Sequence, residues 1–200
     1  MKTRLFTCKL ILFLLCFGAL ESKAQSFQKK QVDVNIGLGV GNTFIDAGAY
    51  SALPPISLAV EVGITNDISL GGYLAFAGAT YKYSDWEHCP HFGGDYYYTD
   101  THSWTYVILG IRGAYHFGRF IKIDKLDVYA GLMLGNDFAK DSYTTNSPCQ
   151  DHFDYYSRSY GGGVVSLFAG ARYRFTDHVG IFGELGYGIS LLNIGLNLKF

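Results

Sequence analysis

From Leu192 to the final Phe200, large apolar side chains at 192, 194, 196, 198 and 200 alternate without a break with Asn193, Gly195, Asn197 and Lys199. Successive side chains of a strand leave on opposite faces, so this segment has one oily face and one polar face. The pattern recurs along the chain. Val32, Val34, Ile36, Leu38 and Val40 oppose Asp33, Asn35, Gly37 and Gly39, and equivalent segments span 56–64, 68–76, 107–117, 126–135, 165–175 and 179–187. These segments predict eight strands, all-β and antiparallel, joined in sequence order. Twenty-five glycines and 16% aromatic residues suit them, since glycine weakens helices and leaves room where side chains crowd a narrow interior.

Lys2 and Arg4 precede an apolar run from Leu10 to Leu20, followed by the small-residue frame Ser22-Lys23-Ala24. That is the layout of a cleavable secretory signal, so residues 1–24 are read as a signal peptide and 25–200 as the mature domain, beginning at Gln25. The run is too short for a spanning helix. Leu15 stands before Cys16 where a lipoprotein signal needs a small residue. After residue 24 no apolar run is long enough for a helical span, so a membrane role requires a closed sheet. The net charge of −1 argues for no nucleic-acid partner.

Connections carry a second pattern. Thr65-Asn66-Asp67 and Thr176-Asp177-His178 are tight turns, and the link near Gly118–Lys125 is modest. The links after the first, third and fifth segments read as long polar loops, whereas the one near Gly188–Ser190 is short. Three segments that run in one direction close on similar triplets: Tyr115-His116-Phe117, Tyr173-Arg174-Phe175 and Leu198-Lys199-Phe200. A soluble sandwich is the rival, but it would bury these apolar faces against one another and guard its edges with proline and charge.

The ending Leu-Asn-Ile-Gly-Leu-Asn-Leu-Lys-Phe, the strand Phe168-Ala169-Gly170-Ala171-Arg172-Tyr173-Arg174-Phe175 and the strand Glu184-Leu185-Gly186-Tyr187-Gly188 carry a resemblance. The mature chain resembles the small outer-membrane β-barrel proteins of Gram-negative bacteria, with the layout of OmpA-like and OmpX-like barrels. The resemblance implies an eight-stranded up-and-down transmembrane barrel, outer-membrane location, periplasmic termini, and lipid and lipopolysaccharide as surroundings. It also implies that Phe200 is part of the signal read by the outer-membrane assembly machinery. It implies little biochemistry.

Asp33, Glu61, Asp127 and Glu184 face inward with Arg112, Arg172, Arg174 and Lys199. The signs balance, and unpaired buried charges are costly, so these residues are expected to interlock as a plug. The function read from the sequence is structural or surface-interacting. A narrow channel passing small solutes is the alternative, although a pore favours one sign at a constriction. No enzyme activity, cofactor or metal is expected, because His102-Ser103 and Asp151-His152 supply no nucleophile with a positioned base and orienting group. Loop 2 (Asp85–Phe92, Asp95–Tyr98) and loop 3 (Cys149–Tyr156) are tyrosine-rich and acidic. They suit either recognition or interfacial anchoring.

Cys8 and Cys16 leave with the signal, so the mature chain keeps Cys89 and Cys149, in loops on one rim. An oxidising compartment predicts that they pair. The rival is a zinc site drawn from His88, Cys89, His91, Cys149 and His152, all ligand types that zinc accepts.

Overall fold

A computed structural model describes residues 27–43, 50–89, 93–121, 123–147 and 156–200. The expected signal peptide, Gln25, Cys8 and Cys16 lie outside the described residues. Eight strands follow one another: β1 (Val32–Asn42), β2 (Tyr50–Gly63), β3 (Ile68–Cys89), β4 (Gly94–His116), β5 (Leu126–Thr145), β6 (Tyr156–Arg174), β7 (Val179–Gly186) and β8 (Ser190–Lys199). Each pairs antiparallel with the next, and β8 pairs with β1 to close a barrel. At that seam Val32 and Phe200 exchange backbone hydrogen bonds of 3.0 and 2.8 Å, so the ladder runs to the last residue.

Two turns at the rim where β1 begins and β8 ends are built alike. The Thr65 hydroxyl accepts the Asp67 and Ile68 N–H groups at 3.2 and 3.0 Å. Thr176 accepts those of His178 and Val179 at 3.3 and 3.0 Å. A threonine oxygen that takes two amides fixes a short reversal without extra residues.

The polarity is inverted relative to a water-soluble domain. Leu167 is 72% exposed, Ile111 64% and Leu185 63%, whereas Asp33, Glu61, Asp127 and Arg172 are 0% exposed. A ring with an apolar exterior and an ionic interior is stable only with hydrocarbon outside. On the outer wall near the terminal rim, Tyr115 meets Phe117 and Tyr173 meets Phe175 edge to face, at 5.1 and 5.7 Å. Both pairs come from the repeated triplets and form part of an aromatic girdle.

Strand lengths depart from the sequence reading, which ends the third segment at Phe76 and assigns Asp85–Phe92 and Asp95–Tyr98 to a loop. β3 instead continues to Cys89 and β4 begins at Gly94, with the ladder unbroken to Cys89↔Gly94. Pro90, His91 and Phe92 lie outside the described residues. The reason is physical. Beyond Thr80 both faces of the hairpin are polar, so the hydrophobic alternation disappears while the tyrosines and threonines that favour strands remain. β2 also starts earlier than expected, through Pro54 and Pro55, which donate no amide hydrogen. Its register with β3 slips between Ser51/Leu53 and Leu53/Ile56.

The barrel is therefore lopsided. β2 pairs with β3 only up to Tyr50↔Thr80, and β7 pairs with β6 only from Phe168. Above those points β3, β4, β5 and β6 continue as a four-stranded arm, extending β3 by roughly 30 Å at the usual rise per residue.

Candidate functional site: a sealed lumen and a raised arm

The inward-facing residues of eight strands meet in a space too narrow for bulk water. Arg112 (β4) grips both Glu184 (β7) oxygens, at 3.2 and 2.7 Å, and its Nε lies 2.6 Å from Glu61 (β2). Glu61 also pairs with Arg172 (β6), whose other nitrogen reaches Asp127 (β5) at 3.2 Å and Asp33 (β1) at 3.5 Å. Arg174 pairs with Asp33 at 3.1 Å, and Asn197 donates to the same carboxylate at 3.1 Å. Seven of the eight charges expected in the network are thus brought together. Glycines leave room for the rings among them: a Cβ on Gly170 would lie 2.8 Å from the Tyr129 ring. Tyr129 donates to Glu184 at 3.1 Å and lies under the Arg172 guanidinium at 4.3 Å.

Lys199 departs from expectation. It is half-buried at the terminal rim and takes part in none of the ion pairs among the described residues. Standing last on β8, it has water within reach of its flexible stem. The buried partner missed in the sequence is His116. It lies 2.9 Å from Asp127 through Nδ1 and 3.0 Å from Ser69 through Nε2. This is the connectivity of a serine nucleophile, base and orienting acid, on three strands that the sequence keeps apart. All three residues are 0% exposed, so the chain holds them as a packed polar core with no approach for a substrate. Which imidazole nitrogen carries the proton is an assignment from these partners.

The seal over this core comes from residues ahead of β1. Phe27 is 0% exposed and stacks on His116, with centroids 3.6 Å apart and planes within 2°. Lys30 N–H donates to the Gly63 carbonyl and Gly63 N–H to the Gln31 carbonyl, both at 2.8 Å. Gln31 donates its side-chain amide to Asp33 at 2.6 Å. A Cβ on Gly63 would collide with the Gln28 carbonyl, so only glycine lets the strap lie this close. Higher in the lumen Ala75, Ala77, Tyr106, Ile108 and Ile189 form an apolar layer. The cavity lined by Tyr73, Arg112, Phe168 and Glu184 measures only about 10 Å³, room for one water at most.

On the arm, strand geometry separates neighbours that the sequence set side by side. His88 points outward and pairs with Asp95 at 2.7 Å, whereas Cys89 is 1% exposed on the other face. The zinc reading therefore loses His88 from its donor set. His91, Cys149 and His152 lie outside the described residues. Cys89 is disulfide-bonded, and Cys149 is proposed as its partner. Mass mapping of non-reduced peptides is expected to recover Cys89 joined to Cys149. Reduction is expected to cost a few kcal/mol, about what closing a loop of roughly 60 residues is worth. Free thiols with stoichiometric zinc would reverse this assignment.

Among solved structures, the chain is similar to the attachment invasion locus protein Ail of Yersinia pestis. The two share 14% identity over 86% of this chain and 100% of that one, with a TM-score of 0.47. It is also similar to the N-terminal barrel of Pseudomonas aeruginosa OprF (13% identity, 86% and 98% coverage, TM-score 0.41). A third is a major outer membrane protein of Thermus thermophilus (15% identity, 85% and 99% coverage, TM-score 0.47). No family model and no curated protein sequence matches the chain. The closed meander of eight strands, apolar outside and ionic inside, gives this chain the architecture of a small outer-membrane β-barrel.

Proposed function

We propose that this protein is anchored in a bacterial outer membrane by a barrel that conducts nothing and works at the cell surface through its arm, with both termini in the periplasm. The observation that carries the reading is the unequal height of the strands around a plugged lumen. Four strands stop near the membrane while β3 to β6 rise beyond it. Among the described residues, β3 from Tyr81 to Cys89 pairs only with β4, and β6 from Tyr156 to Ser166 pairs only with β5. An unpaired strand edge offers a row of amide and carbonyl groups, which favours recognition of extended polypeptide by strand addition. Lipid and lipopolysaccharide are the proposed surroundings, and the assembly machinery reading Phe200 is the proposed route of insertion.

Epitope tags on intact cells test the reading. A tag beside Asp95 is expected to be labelled, and one beside Asp177 is expected to stay silent until the outer membrane is opened. The reverse pattern refutes the topology. The channel alternative predicts steady single-channel openings in a planar bilayer, lost on changing Arg112 or Glu61. A closed trace supports the plug.

A further inference from the structure

Along the arm the strand alternation sorts side chains onto two faces, and the inner face has an unusual composition. Cross-strand register sets Tyr83 opposite Asp100, Asp85 opposite Tyr98 and Glu87 opposite Tyr96. Each carboxylate therefore faces a ring across the strands, and the two exchange sides between Tyr83/Asp100 and Asp85/Tyr98. Lys82 points to the outer face, and the Arg158 of this face lies on β6, opposite Asp141.

No ion pair among the described residues involves Asp85, Glu87 or Asp100. Asp85 accepts from the Tyr83 hydroxyl at 2.6 Å and Glu87 from the Ser147 hydroxyl at 2.8 Å. One oxygen of Asp100, and likewise one of Asp141, is shielded from solvent with no hydrogen-bond partner among the described residues. Desolvation, then the fields of Asp100, Asp85 and Glu87, push the Tyr98 hydroxyl up, so three negative charges converge on one ring.

We propose that this face, centred on Tyr83, Asp85, Tyr98 and Asp100, is a binding site for a small organic cation carrying alkylammonium groups. Charge complementarity selects the sign of the ligand. The rings select its kind, because an ammonium bearing carbon gains from an aromatic face as well as from a carboxylate. A bare metal ion fits less well, since no three metal-ligating side chains among the described residues are grouped closely enough to hold one. Asp100 would face the cationic nitrogen, accepting its N–H where it carries one, and Tyr98 would cover the carbons attached to it. This assignment gives a chemistry to the arm and so rests on the arm's role as the interacting surface.

The experiment uses the purified mature protein in a maltoside micelle, which is free of competing choline headgroups, and follows spermidine and tetramethylammonium by calorimetry. Saturable binding of both is expected. Asp100→Asn and Tyr98→Leu should each weaken it about three- to thirtyfold, the range such contacts span from exposed to dry sites. Trp86→Leu, on the outer face, should leave it unchanged, and heat-modifiable mobility checks that every variant is folded. Three results overturn the proposal: no saturable binding, equal binding of a neutral diol of matching length, or equal losses in Asp100→Asn and Trp86→Leu. Because the assay needs no cell surface, its failure is separate from a failure of the tag experiment.

Discussion

Arg172→Ala is expected to cost about 3–5 kcal/mol of barrel stability, the loss typical when one partner is removed from a buried ion pair. Its guanidinium faces Glu61, Asp127 and Asp33 at once, and each of these is 0% exposed. Deletion leaves Asp33, Glu61, Asp127 and Glu184 to share Arg112 and Arg174, with little room for water to solvate the remainder. The measurement is the urea midpoint for loss of the heat-modifiable band in detergent. Arg172→Lys keeps the charge but not the fork that reaches several carboxylates, so it should fall between alanine and the native residue. Adding Glu61→Gln to the alanine variant should recover part of the loss, because a double-mutant cycle between touching groups is non-additive. An unmoved midpoint in Arg172→Ala would mean that these charges are solvated and the lumen is open.

The second large effect belongs to a residue outside the strands. Phe27→Ala removes a ring with no exposure and uncovers His116, and a buried Phe→Ala change costs about 3–5 kcal/mol. Hydrogen exchange tests the strap separately. The Gly63 amide, bonded to the Gln31 carbonyl, should lose protection in Phe27→Ala while the β1–β8 seam keeps its own. His116→Ala combined with Phe27→Ala should cost less than the sum of the two, by about 0.5–1.5 kcal/mol if the stacked pair behaves like other aromatic pairs. Unchanged Gly63 protection would show that the strap does not sit in the mouth.

What was legible in the sequence follows one boundary. Where a strand separates hydrocarbon from lumen, its two faces differ in polarity and period-two reading sorts them, as with Asp33 beside Val32 and Val34. Seven of the eight expected charges meet for that reason. Above the hydrocarbon no such contrast exists, so Asp85–Cys89 and Asp95–Tyr98 read as loop although they are strand. His116 lay on the correct face, but nothing in the sequence distinguishes an imidazole that completes an ionic core from one that ends a strand. Lys199 had the right alternation and the wrong depth. Phe27 sits alone ahead of β1 with no periodic neighbours, so no pattern marked it as part of the core.

The ionic core also bears on how such a barrel is put into a membrane. Asp33 and Arg174 lie 141 residues apart in the chain, and Glu61 and Arg172 lie 111 apart. Of the acids on β1, β2, β5 and β7, only Asp127 meets an arginine, Arg172, within its own hairpin, and that arginine also serves Glu61 and Asp33 from strands far away in sequence. An open, half-inserted sheet would present bare charges to lipid, with an energetic penalty at every intermediate width. The penalty disappears only when the first and last strands zip together. Insertion by successive hairpins is therefore disfavoured from within, and the charges act as a closure lock that rewards the finished ring alone.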